Sequence, residues 1–171
     1  MRKPPLSASV SVNSAHQYPS RADISQTALL VSPLEEDHTS LAQTFGTHGW
    51  RLHAVSNLED GVRFLERNRI PVVIAERDLW PGSWKDLQAE LPRSVELPLL
   101  IVTSRFADDR LWAEVLNMGG YDVLIKPFDQ MELYRVLSLA WHNWDNTAAR
   151  NRSTAFRDEQ RSRAKVSNAV A

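Results

Sequence analysis

Short apolar runs alternate along this chain with longer segments whose apolar residues recur at helical spacing, and the alternation repeats five times. Ala28-Leu29-Leu30-Val31 is the first run. Leu34, His38, Leu41 and Phe45 follow on one face of a predicted helix, which Gly49 closes. Arg51-Leu52-His53-Ala54-Val55 alternates like a strand, with Leu52 and Ala54 on one face. Ser56 and Glu59 then stand in a Ser-x-x-Glu capping pattern ahead of Leu58, Val62 and Leu65. Val72-Val73-Ile74-Ala75 is the most β-branched run, and a turn from Glu76 to Gly82 leads from it into a short helix carrying Trp84, Leu87 and Leu91. Leu99-Leu100-Ile101-Val102, bounded by Pro98, is the fourth run. Leu111, Val115 and Met118 give the next helix its apolar face, and Gly119-Gly120 stop it. Asp122-Val123-Leu124-Ile125 is the fifth run. Asp129 caps the last helix with Glu132 three residues on, and Leu133, Val136, Leu137, Ala140, Trp141 and Trp144 line its inner side.

Apolar runs without strict alternation predict strands covered on both faces. Five strand–helix pairs predict the α/β class: a doubly wound, five-stranded parallel sheet with right-handed crossovers. The pattern also divides the chain. Residues 1–26 have two early prolines and no apolar periodicity, and are expected to be a disordered leader. Residues 27–145 form the domain. Residues 146–171 are a polar tail, a disordered or helical extension. Its six cations (Arg150, Arg152, Arg157, Arg161, Arg163 and Lys165) stand against Asp158 and Glu159, a balance of +4.

Composition narrows the chemistry. At 171 residues and 43 % hydrophobic, the chain suits one packed domain with tails. No apolar run approaches the roughly 18 residues of a membrane span. Arg2 and Lys3 are followed by Ser-rich sequence instead of an apolar signal core, so a cytoplasmic protein is expected. Cysteine is absent, which excludes disulfides, thiolate metal sites and a cysteine nucleophile. The five histidines are scattered without an i,i+4 pair, so no metal site is expected. A flavin or nucleotide site on this topology needs a phosphate loop after the first strand, whereas Ser32-Pro33-Leu34-Glu35-Glu36 has no glycine and repels phosphate. No enzymatic activity is expected.

From Leu99 to Phe128 the order is strand, the hydroxyls of Thr103 and Ser104, helix, Gly-Gly, strand, then Lys126-Pro127-Phe128. This stretch resembles the second half of a response-regulator receiver domain, and the resemblance extends over residues 28–144. It implies strand order 2-1-3-4-5. It also implies that Thr103 and Lys126 reach a phosphoryl group on an aspartate of the third strand, beside Mg²⁺ held by an acidic pair after the first.

The chain departs from that pattern where the chemistry would sit. The acidic-pair positions fall on Ser32 and Pro33, and Pro33 has no side-chain ligand. Glu35, Glu36 and Asp37 come later, on an opening helical turn where they complement the helix dipole. Two registers compete for the phosphoacceptor position. Strand length and the Glu-Arg-Asp-Leu turn place Glu76 there, with Trp80 in the family's proline position; counting four back from Pro81 places Arg77. The first is preferred, because a Gly-Ser-Trp helix start after that turn looks like a divergent receiver subgroup. Asp78 is the nearest aspartate, but it lies past the strand end, where successive side chains reverse face. Val123 occupies the switch-aromatic position, three residues before Lys126.

The expectation is a stand-alone degenerate receiver that signals by protein–protein contact without aspartate phosphorylation, with weak or absent Mg²⁺ binding and no other cofactor. Glu76 and Lys126 are expected to form an ion pair, which either fixes one conformation of the sheet's carboxyl edge or only satisfies a half-buried polar remnant. Two alternatives stand beside this reading: ordinary phosphorylation through Asp78, and nucleic-acid binding through the basic tail. The expected partners are a sensor kinase or downstream regulator, or a second copy. In receivers the fourth helix, fifth strand and fifth helix form the docking face, here carrying Trp112, Val123, Arg135 and Leu139. Nucleic acid and membrane are not expected partners.

Overall fold

The structure, a computed structural model, describes residues 26–91 and 96–169. All but the last residue of the expected leader lies outside the described residues. Five parallel strands, β1 (Thr27–Val31), β2 (Arg51–Val55), β3 (Val72–Glu76), β4 (Leu99–Ser104) and β5 (Asp122–Ile125), form one sheet in the order β2-β1-β3-β4-β5. Five helices alternate with them: α1 (Glu35–His48), α2 (Leu58–Arg67), α3 (Trp84–Glu90), α4 (Asp109–Asn117) and α5 (Gln130–Ala169).

Every residue of β1 and β3 is buried, as two-faced cover requires of central strands. The two-residue period of a strand separates their side chains into two cores. Leu29, Val31, Val73, Ala75 and Val102 pack with Leu65 of α2, Trp84 and Leu87 of α3 and Leu111 and Val115 of α4. Leu30, Ile74, Ile101 and Leu124 pack on the other face with Leu41 and Phe45 of α1 and Leu133 and Leu137 of α5. The strand order reverses between β1 and β3, which opens a crevice at the carboxyl edge of the sheet.

Several local details differ from the sequence pattern. The α2 cap is Asn57, whose side chain accepts from the Asp60 backbone N–H at 2.9 Å, one residue later than the Ser56–Glu59 pair. Met118 is exposed because α4 ends at Asn117 and Met118 is its C-cap. The inward face of α1 carries Asp37, Leu41, Thr44 and Phe45, so Leu34 and His38 lie at its margin. Past residue 145, where the sequence leaves a disordered or a helical extension open, helix α5 continues: it runs unbroken for 40 residues, roughly 60 Å at 1.5 Å per residue.

Packing along α5 also passes residue 145. Ala148 is buried, and at the amino edge of the sheet Glu96 receives ion pairs from Arg69 and, at 3.0 Å, from Arg152. The Arg69 guanidinium lies 5.1 Å from the centre of the Trp144 ring, in cation–π range. Burial, and secondarily the charge of Arg152, hold Arg69 below its ordinary pKa. This latch fixes the root of the helix that continues beyond the domain.

The Gly119–Gly120 stop works by two means. Gly119 adopts φ 87°, which strains any residue with a Cβ. A Cβ on Gly120 would collide with the Val115 side chain and lie 3.0 Å from its carbonyl oxygen. Gly120→Ala is therefore expected to lower stability by about 1–3 kcal/mol through overpacking, seen as a lower urea midpoint at unchanged slope.

Candidate functional site

The carboxyl edge of the sheet brings together residues in or next to five elements. β3 ends on Glu76, which is in register with Thr103 of β4. Lys126 directly follows β5, and its backbone N–H donates to the Ser104 carbonyl at 3.0 Å, extending the ladder by one step. Ser32 follows β1 and is held by its N–H to the Val55 carbonyl at 3.0 Å. Asp37 enters from the first turn of α1. All five side chains are buried.

Their centre is the Lys126 ammonium. It pairs with Asp37 Oδ2 at 2.7 Å and with Glu76 Oε2, in contacts where Lys126 and Asp37 keep less than a twentieth of their side-chain surface. The Ser32 hydroxyl donates to the same Asp37 oxygen at 2.6 Å and accepts from the Leu34 backbone N–H at 3.2 Å. Thr103 Oγ1 lies 3.4 Å from both Glu76 Oε2 and the Ala75 carbonyl, so one hydroxyl proton is shared between two long contacts. His38 Nε2 donates to the Ser32 carbonyl at 2.7 Å, which fixes the β1–α1 turn from outside. Two carboxylates around one ammonium leave the buried set with a formal charge of −1.

A second, exposed pair lies across the mouth. Arg105, after β4, bonds Glu36 on the first turn of α1. The hydrogen bond from Arg105 holds the Glu36 carboxyl below its ordinary pKa. The same bond and the Glu36 charge raise Arg105, with smaller contributions from Asp37 and Glu76. The inner set's surplus negative charge thus faces a guanidinium.

The remaining candidates lie elsewhere. Pro33 is exposed at the turn. Arg77, the second register for the phosphoacceptor position, is turned outward to Asp78, which accepts from its guanidinium at 2.6 Å and 3.0 Å. That bond raises the Arg77 pKa. Asp78 itself is about two-thirds exposed and outside the buried set. Val123 is half-buried against the α2–α3–α4 core. On the neighbouring face Trp112 is exposed and its indole N–H donates to Asp122 at 3.2 Å, Arg135 is bonded to Glu132, and Leu139 is exposed.

Sequence reasoning assigned Asp37 to the helix dipole with Glu35 and Glu36, and this is corrected by its burial. The signal was present: Leu41, Thr44 and Phe45 stand four, seven and eight residues beyond Asp37, so the face that buries them buries Asp37.

The carboxylate oxygens that face each other across the site, Asp37 Oδ2 and Glu76 Oε2, are both taken by the Lys126 ammonium. An octahedral, oxygen-only shell needs free carboxylate oxygens. Here the Lys126 ammonium stands between the two carboxylates, Asp37 Oδ2 is also taken by Ser32, and position 33 offers nothing. No cluster of three or more His, Cys, Asp or Glu side chains suited to a metal occurs among the described residues.

Comparison with known proteins gives the fold a name. The receiver domain of a Francisella response regulator superposes with TM-score 0.63 at 16% identity, covering 68% of this chain and 97% of that one. The signal receiver domain of an HD domain-containing protein from Pseudomonas fluorescens gives 0.63 at 24% identity, over 70% and 97%. The receiver domain of a sensor histidine kinase from Pseudomonas aeruginosa, whose active-site cleft coordinates a magnesium ion, gives 0.60 at 24%, over 69% and 98%. In sequence, the methanogenesis regulatory protein FilR1 of Methanothrix harundinacea is 32% identical over 108 residues. That match takes in 58% of this chain and 24% of the relative, so the chain spans about a quarter of that protein's length. No family model matches the chain. The chain has the receiver fold. No helix among the described residues is long and apolar enough to cross a membrane.

Removing the central cation tests how the buried set is balanced. Lys126→Met is expected to destabilise the fold by about 3–5 kcal/mol, because two buried carboxylates lose their counter-ion. The triple variant Lys126→Met/Asp37→Asn/Glu76→Gln removes all three charges and is expected to recover most of that loss. Denaturant unfolding of both variants checks the pair; equal destabilisation would refute the charge balance.

Proposed function

We propose that this chain is a degenerate receiver domain, a two-component signalling module that works by protein–protein contact in one fixed state and without aspartate phosphorylation. The observation that carries this reading is the Lys126 ammonium buried between Asp37 and Glu76. A receiver's lysine is expected to meet an incoming phosphoryl group, but this one is already neutralised by two internal carboxylates. Glu76 supplies a permanent negative charge in the position where an acyl phosphate would form. An incoming phosphoryl group would make charge-assisted contacts of the same kind, so to reach the ammonium it has to displace two carboxylates already seated there.

Magnesium binding is accordingly weak or absent in this reading. Asp78 is a poor acceptor, since it sits outside the buried set and is paired with Arg77. The receiver fold and the match to a regulatory protein support signalling as the broad role. The face formed by α4, β5 and α5 suits a partner such as a kinase or downstream regulator: Trp112, Leu116, Ile125 and Leu139 are exposed there beside Arg135. Aromatic and Arg anchors are typical of contact hot spots.

Intact mass after incubation with acetyl phosphate and Mg²⁺ tests the proposal. The expected result is no phosphoryl adduct on either the natural chain or an Asp78→Asn variant. An adduct on the natural chain that vanishes in the variant would mean ordinary phosphorylation through Asp78. Glu76→Gln is expected to weaken capture of the cognate partner by releasing Lys126 from one of its two carboxylates; unchanged capture would reduce the ion pair to a structural remnant.

A further inference from the structure

The α2–α3 side of the domain carries an open groove of about 350 Å³. Its floor is apolar, from Leu58, Val62 and Pro81, and its rim carries Glu59, Glu66 and Glu90. Arg63 also lines it, but its guanidinium is turned along its own helix to Glu59 and Asp60. Glu66 and Glu90 make no ion pair with any described residue. The groove is thus apolar at its base and negative at its edge.

The projecting part of α5 has the opposite character. From Ser153 to Asp158 every residue is exposed, and Phe156 keeps 62 % of its surface. Exposed Arg150 and Arg157 flank this aromatic, and the sequence continues with Arg161, Arg163 and Lys165. The chain's charge is divided the same way. Residues 26–145 hold eighteen carboxylates against eleven cations, a balance of −7, whereas residues 146–171 stand at +4.

We propose that the α2–α3 groove receives the projecting end of α5 from a second copy of this chain, with Phe156 seated on Leu58, Val62 and Pro81 and the neighbouring arginines facing Glu66 and Glu90. A cavity of roughly 150 Å³ is enough to bind benzene, so the groove has room for a phenyl ring. A chain cannot fill its own groove. α5 packs on the sheet face opposite α2 and α3, and it is one unbroken helix rooted at the Glu96 latch. Each copy offers both an arm and a groove, so reciprocal exchange closes as a two-fold pair. The domain's −7 balance favours a basic protein arm over a polyanion as its neighbour.

Sedimentation velocity of the full chain at low and high salt tests the proposal. The expected result is a dimer whose association weakens roughly tenfold as salt is raised, since charges on an exposed rim are screened. Phe156→Asp and the pair Glu66→Lys/Glu90→Lys are each expected to be monomeric. All three positions are exposed, and unchanged near-ultraviolet dichroism reports an intact fold. Mixing the two variants leaves one intact arm and one intact groove, and is expected to restore a one-to-one complex. A natural chain that stays monomeric, dimers that persist in Phe156→Asp, or variants that fail to complement would each overturn the proposal. Persistent dimers would point to the α4–β5–α5 face. A monomer that shifts duplex DNA through the arm would point to nucleic acid.

Discussion

Placing an ammonium ion inside a protein costs several kcal/mol of lost hydration, and the cost is offset only where carboxylates meet the ion at close range. Lys126 imposes that constraint on this fold. To satisfy it, β3 must end on a carboxylate, α1 must turn one acidic residue inward on its first turn, and β5 must stop one residue short of the lysine. Two strands of the sheet and one helix packed on it are thereby tied to one atom. Each contact is worth about 4 kcal/mol at an effective dielectric near 20, comparable with the desolvation it opposes. The set therefore adds little net stability. Stability comes from the two apolar cores, and the charges determine which arrangement of the carboxyl edge those cores hold in place.

In the proposed reading, this division of labour explains how the site gives up one chemistry while keeping its scaffold. Ser32 cannot hold a metal as a carboxylate does, but its hydroxyl orients Asp37. Thr103 keeps a hydroxyl beside the end of β3, where it now touches a permanent carboxylate. Lys126 keeps its place at the end of β5. In the proposed reading these are parts of a phosphoryl site turned inward to satisfy one another. The net charge of −1 left by the buried set is met at the mouth by Arg105, which is itself bonded to Glu36.

Much of this was legible in the sequence because the fold depends on periodicity. The apolar runs and the Gly119–Gly120 stop mark the strands and helices, since burial on two faces leaves no other composition for β1 and β3. The contact between Glu76 and Lys126 follows from strand ends alone. Asp37 was misassigned because three acids at a helix start satisfy the dipole argument equally well, and only the phase of Leu41 and Phe45 separates the inward one. The α2 cap moved to Asn57 because Asn and Ser are both good caps, so local chemistry gives two adjacent solutions. The continuation of α5 was open for a different reason: its polar end has no apolar face to phase, and what anchors its root is an ion pair with Glu96, 56 residues away in sequence.

Helix α5 connects the two edges of the sheet. It begins at Gln130, just beyond Lys126 and the Pro127–Phe128 turn, and its inner face is buried by Leu133, Val136, Leu137 and Ala140. It then passes Trp144 and Arg152 at the latch on the opposite edge. A helix packed along that length moves as a unit, since its side chains interlock with the sheet at close to crystalline density. Rotation at the carboxyl edge would have to break the Glu96 contacts or bend the helix against its own hydrogen bonds. In the proposed reading, a site held in one state by its own charges presents the basic arm in one direction. In this reading the domain is a fixed mount for that arm, and what varies in the cell is which partner meets it.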